Sequence, residues 1–160
     1  MDNSVRASLH ATLLRSEEMN QPSSQAFNAT VEERLSFLKE NGFIVRNEDR
    51  EDTTLTAAVT FRGQNVAVCI SLDRRDSCID CYLSRVKDGK EIRNNVEDGY
   101  WGHFHAFLVK HRGYRGSFRE FKNDEDIGAW HELEVVKYAR ALKKLAPDVV
   151  SDSKEIFESN

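Results

Sequence analysis

Apolar and polar residues alternate through the middle of the chain, over residues 54–86. Alternation with a period of two is typical of strands that bury one face. Three such strands follow one another, and the polar segments between them, residues 62–65 and 73–77, have the length of hairpin loops rather than crossovers. We therefore predict an antiparallel meander. Its inward side chains are Leu55, Ala57, Val59 and Phe61, then Val66, Val68, Ile70 and Leu72, then Ile79, Cys81 and Leu83.

Helical periodicity precedes the meander. Residues 3–19 carry apolar side chains at spacings of four and predict an amphipathic helix. Residues 20–25 are rich in Ser and contain a proline, which indicates a linker. Thr30 and Glu33 have the spacing of a capping box, so we expect a second helix to begin there and to end near Asn41.

Short strands and two further helices are predicted around these elements. Residues 43–45 have the composition of a first strand, and Ile92 follows a turn that allows an edge strand. A helix is predicted over residues 100–111, ended by Gly113, and a long last helix over residues 125–145, closed by a proline. The apolar stripes of these helices are Trp101, Phe104, Phe107 and Leu108, and then Ile127, Trp130, Val135, Tyr138, Leu142 and Leu145.

Helices at both ends of a run of strands indicate an α+β fold, with helices covering one face of an antiparallel meander of three to five strands. The chain then divides into an N-terminal helix and linker (residues 1–25), a single α+β domain (residues 26–147) and a C-terminal tail (residues 148–160). The second face of the sheet is left to solvent or to a partner. The polar side chains expected on that face are Thr54, Thr56, Thr60, Ser71, Asp80, Tyr82 and Ser84.

Composition fits one globular domain, since the chain has 160 residues, of which 39% are apolar and 31% charged. No run approaches the ~18 apolar residues of a membrane span. The first twenty residues carry charges where a secretory signal has an apolar core. We therefore expect a cytoplasmic protein without a membrane partner.

Charge is distributed unevenly along the chain. Residues 1–60 hold ten acidic and six basic side chains, residues 61–122 hold eight and twelve, and residues 123–160 hold nine and five. The net charges of the three segments are therefore −4, +4 and −4. This pattern is compatible with internal complementarity and equally with a positive patch that meets an acidic partner.

Cysteines and histidines do not form a recognisable metal or redox site. Cys69, Cys78 and Cys81 lie in predicted strands, where side chains three positions apart point to opposite faces, so a C-x-x-C pair cannot act together there. His103 and His105 diverge in the same way on the predicted helix. We expect reduced structural thiols, no metal and no cofactor.

Residues 110–122, which we call the basic loop, have the most distinctive composition in the chain. Five Lys or Arg side chains alternate with Tyr114, Phe118 and Phe121. This mixture is typical of surfaces that bind phosphates by charge and bases by stacking. It also suits a loop that contacts a protein or a plain structural loop, and an overall pI of about 5.8 is low for a nucleic-acid-binding domain.

Arginines on the tight turn after the second strand are good interface anchors, because a guanidinium binds a carboxylate through two parallel hydrogen bonds. No nucleophile elbow, P-loop, dinucleotide-binding glycine motif or H-E-x-x-H motif is present, so no motif gives a reason to predict an enzyme. The predicted binding residues are Arg74, Arg75, Tyr114, Arg115 and Arg119.

A layout of short apolar segments around a charged hairpin tip extends over residues 35–86. Its segments are Phe37-Leu38, Gly42-Phe43, Val59-Thr60-Phe61, Val66-Ala67-Val68, Asp73-Arg74-Arg75-Asp76 and Ile79-Asp80-Cys81. In this layout the chain resembles small uncharacterised bacterial α+β proteins, including immunity proteins of toxin and immunity systems. The resemblance implies a cytoplasmic protein that acts by binding another protein.

The first functional hypothesis is therefore a non-enzymatic protein-binding domain, in particular an immunity-type inhibitor that occludes a toxin. The alternative is an RNA- or nucleotide-binding module that uses the basic loop. A third hypothesis, an enzyme that uses His103 or His111 with a carboxylate, requires these groups to converge in a cleft. The oligomeric state and the partner's identity are left open by the sequence.

Overall fold

The computed structural model describes residues 21–92, 101–121 and 127–157 of the chain. The helix predicted over residues 3–19 lies outside the described residues. The elements, in chain order, are α1 (Ser24–Arg34), α2 (Ser36–Glu40), a 3-10 helix (Asn47–Asp49), β1 (Arg50–Asp52), β2 (Thr56–Arg62), β3 (Val66–Asp73), β4 (Cys78–Lys87), β5 (Lys90–Ile92), β6 (Trp101–His103), α3 (Phe104–Arg112), a second 3-10 helix (Phe118–Phe121), α4 (Trp130–Leu145) and α5 (Pro147–Val150).

The strands form one antiparallel sheet in the order β1-β2-β3-β4-β5, and β6 also pairs with β4. The long hairpins β2–β3 and β3–β4 are the predicted meander, which confirms the α+β fold. The last strand of the meander, β4, is long enough to take two partners along its outer edge. Residues 82–84 pair with β6, and residues 85–87 pair with β5, which is the predicted edge strand at Ile92.

One face of the sheet packs against the helices and forms the core. With one exception, the predicted inward side chains of the meander are buried. Burying a large apolar side chain contributes about 1.5–3 kcal/mol, so this face supplies much of the free energy of folding. The helices contribute Phe27, Val31, Leu35, Phe104, Phe107, Leu108, Val135, Tyr138 and Leu142 to the same cluster.

The exception is Leu55, whose side chain is 49% exposed. It precedes β2, because the Thr53 hydroxyl accepts a hydrogen bond from the backbone N–H of Thr56 at 2.9 Å and closes a turn there. The strand predicted over residues 43–45 is also reduced, to a single bridge between Ile44 and Arg62. The sequence pattern therefore predicted where the strands lie, but it predicted more paired residues at their starts than the structure has.

The first described helix begins earlier than the capping box predicts. The Ser23 hydroxyl accepts a hydrogen bond from the backbone N–H of Ala26 at 3.1 Å, so α1 starts in the segment expected to be a linker. Thr30 lies inside α1. The predicted C-terminal end is confirmed, because α2 ends at Glu40 with Asn41 as its C-cap, and Gly42 adopts the left-handed conformation, at φ +92°.

The helix predicted over residues 100–111 is shorter than its periodicity indicates. Residues 101–103 form β6, because the free edge of β4 offers backbone hydrogen bonds that a helical turn would forgo. The helix α3 then runs to Gly113 as predicted. The last helix, α4, starts at Trp130 rather than near residue 125, and residues 122–126 lie outside the described part of the chain.

The C-terminal tail packs onto the domain. The α4 helix ends at Leu145, and Pro147 begins the short helix α5 instead of a free tail. Val149 and Ile156 are buried in the core cluster at 0% and 1% exposure. These two side chains therefore attach the C-terminal segment to the core.

Candidate functional site

The sheet face opposite the core carries small and polar side chains, and we call it the open face. Strand register places Thr60, Cys69, Tyr82 and His103 side by side across four strands. The neighbouring row contains Ala58, Ser71 and Asp80. The apolar side chains that the described helices bury lie in the core cluster on the other side. The sequence predicted this division of the two faces from strand alternation.

A cleft of about 240 Å³ lies on the open face. Its rim consists of carboxylates brought together from three separate segments: the first 3-10 helix, β1 and β5. The floor consists of small side chains, and a tyrosine ring forms one wall. The lining residues are Glu48, Asp49, Glu51 and Glu91 on the rim, with Ala58, Thr60, Cys69, Ser71 and Tyr82 below them.

Arg62, which does not line the cleft itself, compensates part of this negative charge. Its Nη2 lies 2.6 Å from Asp49 Oδ1 and 4.0 Å from Glu91 Oε2. Glu91 also accepts a hydrogen bond from the Ser84 hydroxyl at 2.5 Å. Asp49 further accepts a hydrogen bond from the Arg46 backbone N–H at 3.0 Å. Arg62 therefore joins the two inner carboxylates of the rim, Asp49 and Glu91, in a structural network.

The two outer carboxylates of the rim are more available. The side chain of Glu48 is 67% exposed, and its only ion pair among the described residues is a long one of 3.8 Å to Arg46. Glu51 is exposed and has no ion pair in the described part of the chain. Four carboxylates against the two guanidiniums of Arg62 and Arg46 leave the cleft net negative, and such a surface attracts cationic groups.

Two titratable side chains at the far side of the open face, Cys78 and His103, lie next to Asp80. The Cys78 thiol contacts Asp80 Oδ2 at 3.4 Å, and burial, followed by the neighbouring Asp80, raises the pKa of this thiol. A thiol with a raised pKa is a poor nucleophile at neutral pH. The His103 ring lies beside the Tyr82 ring in a tilted arrangement with centroids 4.6 Å apart, and its Nδ1 lies 3.7 Å from Asp80 Oδ1.

The predicted contact residues Arg74 and Arg75 have different environments. The Arg74 guanidinium donates to the Pro22 carbonyl and to the Ser24 hydroxyl, each at 2.9 Å, so it ties the start of α1 to the β3–β4 hairpin. Arg75 is 68% exposed at its side chain and reaches only Asp73, at 3.6 Å. Of the two, Arg75 has the free surface that a contact residue needs.

The basic loop divides in a similar way. Tyr114 is half-buried, its hydroxyl donates to the Ser117 carbonyl at 3.2 Å, and its ring lies near His105, so it supports the loop. Arg115 and Arg119 are exposed, without an ion pair to any described residue. Among the described residues, no ion pair joins Arg75, Arg115 or Arg119 to the carboxylates of the acidic rim.

Comparison with known proteins leaves the family open. No protein-family model, no curated protein and no solved structure matches this chain. The resemblance to immunity proteins stays a prediction. Within the described residues, no helix has both the length and the apolar character of a membrane span, and no His, Cys, Asp and Glu side chains converge as a set of metal ligands.

Sequence reasoning missed the acidic rim. Glu48, Asp49 and Glu51 lie in a segment that the sequence showed only as a charged entry to the sheet, and Glu91 lies some forty positions later. The available signal was the density of carboxylates in residues 48–52. Their convergence with β5 depends on both β1 and β5 pairing at the edges of the same sheet.

Proposed function

We propose that this chain is a non-enzymatic protein-binding domain whose open face docks a partner rich in Lys and Arg. The observation that carries the proposal is the acidic cleft on a sheet face that the described helices leave uncovered. Antiparallel sheets often leave one face for solvent or a ligand. Negative potential over such a face steers and selects a basic partner.

The chemistry of the open face supports binding. Besides the rim carboxylates and Tyr82, the cleft lining consists of the small side chains of Ala58, Thr60, Cys69 and Ser71. Tyr82 offers a ring face at the wall, and tyrosines are enriched in interface centres. The one exposed thiol, Cys78, keeps its proton at neutral pH because its pKa is raised.

Inhibition of a toxin is the specific form of this function that the resemblance implies. A nuclease-type toxin must attract phosphates and therefore carries a basic active site. An acidic face placed over such a site would block it sterically and would be attracted by charge. Arg75 at the hairpin tip and the exposed loop arginines are then contacts outside the acidic centre, for carboxylates of the partner.

A matched pair of double variants tests the proposal. Partners are captured from the native organism, after nuclease treatment, with the wild type, with Glu48→Gln/Glu51→Gln and with Glu33→Gln/Glu40→Gln. Both variants remove two exposed carboxylates, but the second pair lies on α1 and α2. We expect the rim variant to bind the captured protein about tenfold more weakly, mostly through slower association, and the helix variant to bind as the wild type does.

Two results would contradict the proposal. In one, both variants lose affinity equally, which would reduce the effect to net charge. In the other, the rim variant binds the captured protein as tightly as the wild type does, and the affinity does not change between 50 and 300 mM salt. The Debye length changes by more than twofold over that range, so an electrostatic interaction would respond to it.

RNA binding by the basic loop is a second candidate, favoured by the exposed and unpaired Arg115 and Arg119. It predicts that nuclease treatment removes the captured partner. It also predicts that Arg115→Gln/Arg119→Gln lowers the slope of log affinity against log salt by about 1.4, or about 0.7 for each lost contact with a single strand. Equal slopes for the wild type and this variant would exclude the loop as an RNA site.

A further inference from the structure

A second cavity, of about 460 Å³, is lined by more basic than acidic side chains, in contrast to the acidic cleft. It is bounded by the β2–β3 hairpin, by the end of β4 with its following turn, and by the C-terminal tail. It shares no residue with the acidic cleft. We call it the tail cavity, and its lining residues are Gln64, Asn65, Arg85, Val86, Lys87, Asp88, Lys154 and Phe157.

The lining of the tail cavity is cationic. Arg85 and Lys87 come from β4 and Lys154 from the tail, against one carboxylate, that of Asp88. All three cations are hydrogen-bond donors only, with a planar fork on Arg85 and a point charge on each lysine. Such a set suits an anion with several acceptor oxygens and more than one negative charge.

The tail segment that supplies Lys154 is held in place on both sides. Before it, the Asp152 carboxylate accepts hydrogen bonds from the backbone N–H groups of Asn65 and Val66, at 2.9 and 3.0 Å. After it, Ile156 is buried in the core at 1% exposure. Lys154 therefore projects from an anchored stretch, and the cavity wall it forms is preorganised.

An aromatic ring adds a second kind of contact. The Phe157 ring lines the cavity, and the Arg85 guanidinium carbon lies 6.0 Å from its centroid. Phe157 is fixed from behind by Phe107, whose ring centroid is also 6.0 Å away. A ring face beside a group of cations is an arrangement that binds a phosphate by charge and an attached planar group by stacking.

We propose that the tail cavity binds the phosphate group of a small phosphorylated molecule. The volume lies within the range of about 300–1,000 Å³ that small-molecule sites occupy. The phosphate oxygens contact Arg85, Lys87 and Lys154, and the rest of the ligand lies against Phe157 and the Gln64 side of the hairpin. This site is independent of the open face and of any protein partner.

The test is an NMR titration of the full chain with pyrophosphate, with adenosine monophosphate and with adenosine as the phosphate-free control. We expect saturable shifts for the two phosphorylated probes, centred on the amides of Asn65, Lys87 and Lys154, and none for adenosine. If adenosine monophosphate binds more tightly than pyrophosphate, the difference indicates that Phe157 contacts the planar group of the nucleotide. A tighter fit for pyrophosphate assigns the affinity to the cations alone, and either result supports a phosphate site.

Matched charge variants complete the experiment. Lys154→Gln should weaken binding of pyrophosphate about tenfold, because a charge-assisted contact is lost. Lys143→Gln, which removes an exposed lysine of α4 outside both the cavity and the basic loop, should leave it unchanged. If Lys154→Gln fails to fold, Arg85→Gln tests the same prediction, because it removes another cation of the cavity.

Three outcomes would overturn the proposal. The first is the absence of saturable shifts at 10 mM pyrophosphate. The second is equal weakening by Lys154→Gln and Lys143→Gln, which would show that binding depends on net charge alone. The third is a set of shifts that maps to Arg115 and Arg119 and is lost in Arg115→Gln/Arg119→Gln, which would place the anion on the basic loop.

Discussion

Asp152 and Asn65 are separated by 87 positions in the chain, and their contact fastens the C-terminal tail to the β2–β3 hairpin. The Asp152 carboxylate accepts hydrogen bonds from the backbone N–H groups of Gln64 at 2.5 Å, Asn65 at 2.9 Å and Val66 at 3.0 Å. The Asn65 side-chain amide donates in return to the Asp152 carbonyl at 2.7 Å. Backbone N–H groups that converge in this way form an anion site, which the tail itself fills.

Removal of this carboxylate should loosen the tail. Asp152→Ala leaves three hairpin N–H groups without their acceptor, and we expect the free energy of unfolding to fall by about 1–3 kcal/mol. Urea denaturation measures the loss, and limited proteolysis should cut first in the segment after residue 150. The control is Glu155→Ala, an exposed tail carboxylate, which should change stability by less than about 0.5 kcal/mol. Equal stability of both variants would show that the carboxylate is not an anchor.

Gly63 should be intolerant of a side chain only while Asp152 is present. A Cβ placed on Gly63 would lie 2.6 Å from the Asp152 carboxyl carbon, far inside van der Waals contact. We therefore expect Gly63→Ala to destabilise the wild type by about 1–3 kcal/mol and to cost much less in the Asp152→Ala background. Chemical denaturation of the four proteins in this double-mutant cycle measures the coupling, and simple additivity would contradict it.

Adjacent arginines at the β3–β4 hairpin should respond differently to truncation. Arg74→Ala removes the donors that bind the Pro22 carbonyl and the Ser24 hydroxyl, so we expect a loss of about 1–2 kcal/mol and a loosened start of α1. Arg75→Ala, on an exposed side chain, should be within about 0.5 kcal/mol of the wild type. Thermal denaturation and hydrogen exchange of residues 23–28 compare the two. A larger effect at Arg75 than at Arg74 would reverse this assignment.

The ion pair between Asp49 and Arg62 should contribute strongly to the free energy of unfolding. Asp49 is 1% exposed at its side chain and neutralises Arg62, which is 17% exposed. Asp49→Ala should lower the free energy of unfolding by about 3 kcal/mol, because it leaves a largely buried guanidinium with only the longer contact to Glu91. Glu48→Ala, next to it on the exposed rim, is the control and should be nearly neutral. If Asp49→Ala changes the free energy of unfolding only slightly in guanidinium denaturation, the Asp49–Arg62 pair contributes little to stability.

Stability should decline as the pH falls below about 6.5. Burial is the main cause that lowers the pKa of both His111 and His131, with Lys110 and Arg112 adding to the effect at His111. The folded state therefore takes up these protons less readily than the unfolded state, whose histidines titrate near 6.5. Stability is full above that pH and is lost progressively below it.

Unfolding free energies measured between pH 8 and pH 5 check this decline. His131→Gln should flatten the profile, because it removes a histidine whose pKa burial lowers. A wild-type stability that is constant or rises from pH 7 to pH 5.5 would contradict the prediction. The histidines would then be fully accessible to protons in the folded state.

Several features of the candidate site were within reach of the sequence. Thr60, Ser71 and Tyr82 alternate with buried residues, and this alone assigns them to the face away from the core. The exposed positions of Arg115 and Arg119 followed from a glycine-containing polar loop. The role of Arg74 did not follow, because its two acceptors lie about fifty positions earlier in the chain.

By itself the sequence determined the meander, its inward residues and the two kinds of sheet face, since alternation is a property of each strand and its nearest turn. Tertiary structure alone decided that residues 101–103 join the edge of β4, that four carboxylates line one cleft and that Asp152 closes the hairpin. These features depend on hydrogen bonds and charges between segments that are distant in the chain. Their geometry is set only when the sheet and its helices have packed.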